Sequence, residues 1–371
     1  MRNLAGLSST LQLYAGIMSG TSMDGTDAIV ADFSTTEPRV LGFASADFPA
    51  PLKVELLALN SSGNDEIARA SLCANALADT YSRALDAALE VARMERTSLT
   101  AVGCHGQTVR HRPDLGFTVQ INNPARLVEL TGVTVVSDFR SRDIAAGGQG
   151  APLVPAFHDG IFRAPNESRV VVNIGGIANV TFLKPGAPAW GFDCGPGNCL
   201  MDLMAVRHLG QTYDRDGAFA AQGQFNEALF ARMSADPYFH LPPPKSTGRD
   251  LFHAAWLDAH VQDEAAADVQ ATLLELTAWS IAESIRTHAP KAARLLLCGG
   301  GAFNSALRRA LARRFPDASI EQSSQHGVPE QQVEALAFAW LAKQCMERKA
   351  IDFTRTTGAK GPRILGSITP A

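Results

Sequence analysis

GIMSGTSMDGTD, residues 16–27, leaves a short apolar run and then sets two glycines, four hydroxyl residues and two aspartates in the nine positions from Ser19 to Asp27. The run LQLYAGIM (11–18) reads as a buried strand and DAIVADF (27–33) as its antiparallel return, so the stretch between them is the turn of a hairpin. Gly20, Thr21, Ser22, Gly25 and Thr26 can offer backbone amides and hydroxyls there, the chemistry of a phosphate cradle. Asp24 and Asp27 repel phosphate, yet they suit a hydrated Mg²⁺ bridging phosphates, because that ion takes one or two carboxylates and keeps several waters. The spacing Gly20-xxxx-Gly25 continues as Thr-Asp where a Walker A loop requires Lys-Ser/Thr, which excludes that mechanism. Taken alone, the stretch is equally compatible with an ordinary hairpin turn.

The same plan returns later in the chain. RVVVNIGGIANVTFL (169–183) again runs strand, glycine turn, returning strand. Between the two hairpins, Ala74, Leu77, Ala78, Tyr81, Leu85, Ala88, Leu89 and Ala92 recur at helical spacing and predict a long amphipathic helix within 64–95. Strand-like pieces follow in TAVGCHGQTV, GFTVQI and VTVVSDF (133–139), with a short helix from Pro124. Beyond the second hairpin, helices are expected after Asn198, Phe225 and Asp250 and from Asp268 to His288. The strand RLLLCGG (294–300) leads into a helix from about Asn304, and a closing helix spans about 329–346, with Val333, Leu336, Ala337, Trp340 and Leu341 on one face. Strands alternating with helices argue for an α/β fold. AAGGQGAPLVP (145–155) is a candidate interdomain crossing, and LPPPKSTGRD (241–250) an extended arm.

The 371 residues, 46% hydrophobic and 19% charged, suffice for two domains with cores of their own, and a net charge of −4 gives no broad attraction to nucleic acid or acidic membranes. The six cysteines show neither CxxC pairs nor disulfide density, which suits a reducing cytosol, and neither an export signal nor a membrane span is read. Small-molecule partners and a cytoplasmic location are the expectation.

Other short stretches carry candidate chemistry. GFDCGPGN (191–198) mounts Asp193 at the end of an apolar strand, before a stiff Gly-Pro-Gly corner, as a general base requires; a turn-forming or capping Asp is the bland alternative. CGGGAFN (298–304) follows a strand and opens a helix, but its consecutive Gly299, Gly300 and Gly301, with Asn304 in the third fingerprint position, fit a dinucleotide motif poorly and suit an adenine and ribose equally. His105, Gln107, Arg110, Asp138, Arg140 and Asp143 lie close to strand ends, where α/β proteins bind ligands, and suit sugar hydroxyls or an acidic substituent; the bland alternative for any one of them is a solvated polar contact such as a surface salt bridge. Glu334 is the only charge between Val333 and Ala342 on the closing helix and borders its apolar face, with plain exposure as the bland alternative; His111, His158, His208 and His240 show no ligand spacing and read as structural or surface.

Together GIMSGTSMDGTD, GCHGQT, DFRSRDIAAGGQGAPLVPAFH, VVNIGGIANVTFL, GFDCGPGNCLMD, YDRDGAFAAQG, PKSTGRDLF, DVQATLLELTA, CGGGAFN and EALAFAWLA resemble, in order and over nearly the whole chain, the anhydro-N-acetylmuramic acid kinase family of bacterial cell-wall recycling. The resemblance implies a two-domain actin/hexokinase-like fold with an interdomain cleft. A first domain would occupy 1–145, completed by the C-terminal segment, and a second 146–371. It implies ATP and Mg²⁺, with Gly20 to Asp27, Met23 included, as the first phosphate loop and metal site. Asn173, Gly175 and Gly176 would form the second turn, and Gly299 to Gly301 with Asn304 would lie against the nucleoside. Asp193 matches the family's catalytic base and Glu334 its assisting acid. The implied partners are 1,6-anhydro-N-acetylmuramic acid, ATP and water, with a homodimer as the expected assembly. A kinase for another anhydro sugar such as levoglucosan, or a non-catalytic sugar-binding regulator, stands as the alternative.

Overall fold

The computed structural model describes residues 11–371 apart from 21, 22, 24 and 36, so the expectations for Thr21, Ser22 and Asp24 lie outside the described residues. The apolar run before the first turn forms β1 (Leu13–Met18), and β2 (Gly25–Asp32) returns antiparallel to it, with Met18 opposite Asp27. A third antiparallel strand, β3 (Arg39–Asp47), lies on the edge beyond β2. On the other side of β1 come β4 (Ala101–Cys104) and β7 (Val135–Ser137), both parallel, while β5 (Gln107–Arg112) and β6 (Phe117–Ile121) form a separate ribbon.

The second hairpin starts the pattern again. β8 (Arg169–Ile174) and β9 (Ile177–Leu183) flank the glycine turn, β10 (Trp190–Pro196) continues antiparallel, and β11 (Arg294–Cys298) and β12 (Ser319–Gln322) extend the sheet in parallel from β8. The two sheets therefore match strand for strand, β3-β2-β1-β4-β7 against β10-β9-β8-β11-β12, with the middle strand of each antiparallel triplet reversed. This duplicated topology is the two-domain actin/hexokinase-like fold. The first sheet gains one more strand, β13 (Ser367–Thr369), paired antiparallel to β7.

The predicted long helix is Glu66–Ala92. Its stripe of Leu77, Tyr81, Leu85 and Leu89 is buried against the first sheet, and each such large side chain contributes about 1.5–3 kcal/mol on burial. Tyr81 also reaches the first turn, with its hydroxyl 2.8 Å from Ser19 Oγ.

The closing helix, Val333–Met346, departs from the one-sided face read in the sequence. It buries Val333, Ala335 to Ala339, Leu341, Ala342 and Cys345, so it is apolar nearly all round, as a helix enclosed on several sides must be. Its apolar cluster takes in Tyr14 and Ile29 of the first sheet and Val171 and Leu296 of the second. The helix lies so close to the first sheet that a Cβ on Gly16 of β1 would stand 1.9 Å from the Ala335 carbonyl oxygen, and one on Gly103 of β4 2.1 Å from that of Phe338. Among the described residues no helix is long and apolar enough to cross a membrane, and all six cysteines are buried free thiols.

Candidate active site

A cleft of about 820 Å³ opens between the two sheets. Both glycine turns face it, through Gly20, Met23, Gly25, Thr26 and Asp27 on one side and Asn173, Gly175 and Gly176 on the other. Gly299, Gly300, Gly301 and Asn304 line it too, as do Asp193, Glu334, His105 and Arg140.

Asp193 sits on β10 opposite Asn179 of β9, and the next pair is Gly195 opposite Ala178, so Cys194 is the extra residue of a β-bulge. Such a bulge bends a strand and re-aims its side chains. Here Phe192 and Cys194 go into the apolar core, while Asp193 goes to the cleft with 5% of its surface exposed. The carboxylate accepts a hydrogen bond from the Thr247 amide at 3.0 Å, and the Asp193 carbonyl accepts one from the Tyr238 hydroxyl at 2.7 Å. Burial lifts the carboxyl to about 7, against the Thr247 amide and the charges of Arg140 and Lys245, which favour the anion. A carboxylate so tuned gains and loses a proton near neutrality, which is what a general base must do.

Glu334 lies in the first turn of the closing helix and accepts from Asn173 Nδ2 at 3.2 Å. Burial raises its pKa, the Asn173 bond and Arg140 oppose the rise, and the charge of Asp27 adds to it. Burial also raises Asp27, although Ser45 Oγ donates to it at 2.5 Å. Arg140 is a cation whose charge acts on both Asp193 and Glu334. Its Nε donates to His105 Nε2 at 3.0 Å and its guanidinium to the Gly150 carbonyl at 2.7 Å. Because His105 Nε2 accepts, the ring proton is on Nδ1, which donates to the Gly106 carbonyl at 2.7 Å. Burial and the Arg140 charge keep this histidine neutral, well below the usual imidazole range.

Three residues expected on the sugar side do not line the cleft. Gln107 is fully buried behind the first turn, where its amide donates to the Gly20 carbonyl at 3.1 Å. Asp143 is buried and accepts from Thr357 Oγ1 and the Gly150 amide, both at 2.8 Å, so it anchors the 143–150 loop. Asp138 is exposed, with φ 53°, and accepts from the Ser141 amide at 3.2 Å as a turn former. Thr26 does line the cleft, but its hydroxyl donates to the Met18 carbonyl at 3.0 Å and closes the hairpin. Asn304 lines it while capping the helix Ser305–Arg314 through the Leu307 amide at 3.1 Å. His111, read as structural or surface, also stands on the cleft wall. Its Nε2 lies 3.3 Å from Ser246 Oγ, which donates to Gln149 Oε1 at 3.1 Å, and burial pushes the ring down to about 4.

The family model of anhydro-N-acetylmuramic acid kinase matches residues 12–371. The chain belongs to that family. A relative of that name from Bordetella petrii is 52% identical over 367 residues, covering 97% of each chain. Those from Cupriavidus pinatubonensis and Variovorax paradoxus are 51% and 50% identical and cover 96% and 97% of this chain and 98% and 99% of their own.

The extended arm supplies cleft residues of this family member that sequence reasoning missed. Thr247 and Arg249 line the cleft, and Thr247 Oγ1 and Arg249 Nε are buried without a hydrogen-bond partner among the described residues. Asn198, at the head of the helix Cys199–Leu209, donates to the Ile174 carbonyl at 3.2 Å and braces the second turn. Asn179 lies inside an otherwise apolar strand; the available signal is that Asn173 and Asn179 are polar residues on the two arms of the glycine turn, each three positions from Gly176.

Proposed function

We propose that this chain is an ATP-dependent kinase that opens the 1,6-anhydro ring of anhydro-N-acetylmuramic acid with water and phosphorylates O6, giving N-acetylmuramic acid 6-phosphate and ADP for reuse of cell-wall sugar. The observation that carries this is a buried carboxylate, Asp193, titrating near 7 on the wall of a cleft onto which two glycine turns open. Membership of the family supports the substrate. A 1,6-anhydro sugar has no free O6 hydroxyl, so ring opening and phosphoryl transfer must be coupled. Asp193 takes a proton from water as the water oxygen bonds to the anomeric carbon. The C1–O6 bond breaks with its electron pair on O6, O6 bonds to the γ-phosphorus, and the bond to ADP breaks. The proton on Asp193 then passes to solvent. General-base assistance of this kind contributes about 10²–10⁴-fold, and alignment of the phosphates provides most of the rest.

The residues present fit a nucleotide. A Cβ on Gly175 or Gly300 would meet no protein atom nearer than 3.6 Å or 3.9 Å, so each backbone faces free space in the cleft, where phosphate or nucleoside can approach. Arg249, with its unpartnered Nε, suits an anionic ligand. They also fit Mg²⁺. Asp27 would hold it, with Asp24 of the same sequence stretch as the second carboxylate; among the described residues no cluster of three or more His, Cys, Asp or Glu forms, and Mg²⁺ needs none, since water and phosphate oxygens complete its shell. Bound there, Mg²⁺ would offset charge on the triphosphate. Glu334, held by Asn173 and feeling the charge of Arg140, would assist at the sugar. We also infer a cytoplasmic enzyme acting on soluble substrates.

The test is turnover of ATP with 1,6-anhydro-N-acetylmuramic acid and, in parallel, levoglucosan. A 6-phosphate ester from the first, formed at a far higher kcat/KM than from the second, is expected. Absence of any ester from the first overturns the reading.

A further inference from the structure

Asn173, Asn179 and Asp193 occupy one row across three adjacent strands. Asn173 of β8 is directly opposite Asn179 of β9, which is directly opposite Asp193 of β10. Side chains alternate along strands, and Val172, Val180 and Phe192 are in the core cluster, so these three share the other face of the sheet, and all three line the cleft. The row continues to Cys298 of β11, the pairing partner of Asn173.

The two asparagines are used very differently. The amide of Asn173 is occupied at both ends, donating to Glu334 at 3.2 Å and lying 3.7 Å from the Cys298 thiol through its oxygen. Asn179 is nine-tenths buried, with 9% of its surface exposed, and its Oδ1 has no hydrogen-bond partner among the described residues. A buried amide oxygen without a partner costs about 1–3 kcal/mol, and such groups in native proteins call for an explanation. Here the unpartnered oxygen belongs to a residue of the cleft wall directly opposite the candidate base. Directly opposed residues hold their Cβ atoms about 4.5–5.5 Å apart, a span that one water can bridge between two side-chain oxygens.

We propose that Asn179 holds the attacking water together with Asp193. Resting on the hydrolytic reading above, the assignment follows from the chemistry of water as a nucleophile. A water molecule has two hydrogens and must present a lone pair to the anomeric carbon. Asp193 accepts the hydrogen that is transferred. Asn179 Oδ1 accepts the second, which stays on the new C1 hydroxyl, and the remaining lone pair is then directed at C1. The glycine turns and the nucleoside loop take no part in this contact, so ATP binding is independent of it.

The experiment compares wild type with Asn179→Leu, which keeps the branched shape and removes both polar atoms. Steady-state kinetics with ATP and 1,6-anhydro-N-acetylmuramic acid are read alongside thermal unfolding. The expected result is a kcat lower by roughly tenfold to a hundredfold, the span of one lost hydrogen bond to a reacting group. Both KM values should stay within about twofold, and the melting temperature should be unchanged or higher, because no protein hydrogen bond is lost. Wild-type kcat in the variant overturns the assignment, as does a kcat loss accompanied by a lower melting temperature or a matching rise in KM. If wild type itself forms no 6-phosphate ester, the fault lies with the hydrolytic reading and not with Asn179 alone.

Discussion

At the scale of single residues, Asp193 joins activity to a cost in stability. Its carboxyl is held near 7 in the fold, whereas an unfolded aspartate titrates near 3.9. The folded state therefore keeps its proton more tightly, and ionisation opposes folding progressively as pH rises from about 4 to about 7. Above that window the penalty is fully present, at about 4 kcal/mol at most. Asp193→Asn should lose about 10²–10⁴-fold in kcat and yet melt several degrees higher than wild type at pH 8, with the difference fading towards pH 4. Calorimetry across that range checks the sign. In the proposed role the same carboxyl would set the acidic limb of kcat/KM, which should lie near pH 7. The charge of Arg140 favours the Asp193 anion, so Arg140→Gln should move that limb to higher pH; a limb that stays in place or moves down contradicts the assignment.

At the scale of elements, the closing helix ties the first sheet to the cleft. It crosses β1 and β4 where Gly16 and Gly103 carry no Cβ, and its first turn presents Glu334. Gly16→Ala drives a methyl into the Ala335 carbonyl, a contact only backbone movement can relieve, so it should cost about 1–3 kcal/mol and lower kcat by displacing Glu334. Urea unfolding and steady-state rates on the one variant test both effects.

The elements also explain what the sequence made legible. The two hairpins and the long helix were readable because their periods and glycine turns are local. The sugar-side residues were not. Gln107, Asp138 and Asp143 lie near strand ends exactly as Arg140 does in sequence terms, and only the pairing and the loop that Asp143 anchors decide which side chains reach the cleft. Asn179 was hidden for the same reason, since its role depends on a cross-strand partner. The apolar run of the closing helix gave its existence but not its burial on both sides, which arises from two sheets packing on it.

At the scale of the whole molecule, the proposed reaction requires the cleft to admit one water to the sugar and exclude others from the phosphate, which closure of the two halves would achieve. Small-angle scattering should show a smaller radius of gyration with ATP analogue and sugar bound than without, and identical curves would count against closure. The proposed step is attack of water, activated by Asp193, on the anomeric carbon. It is tested most directly by a single turnover in ¹⁸O-labelled water, quenched early and read against product merely incubated in the same water. One label on the C1 hydroxyl and none in the phosphate ester is the expected result. Product formed without label at C1, or with label in the ester, would contradict it.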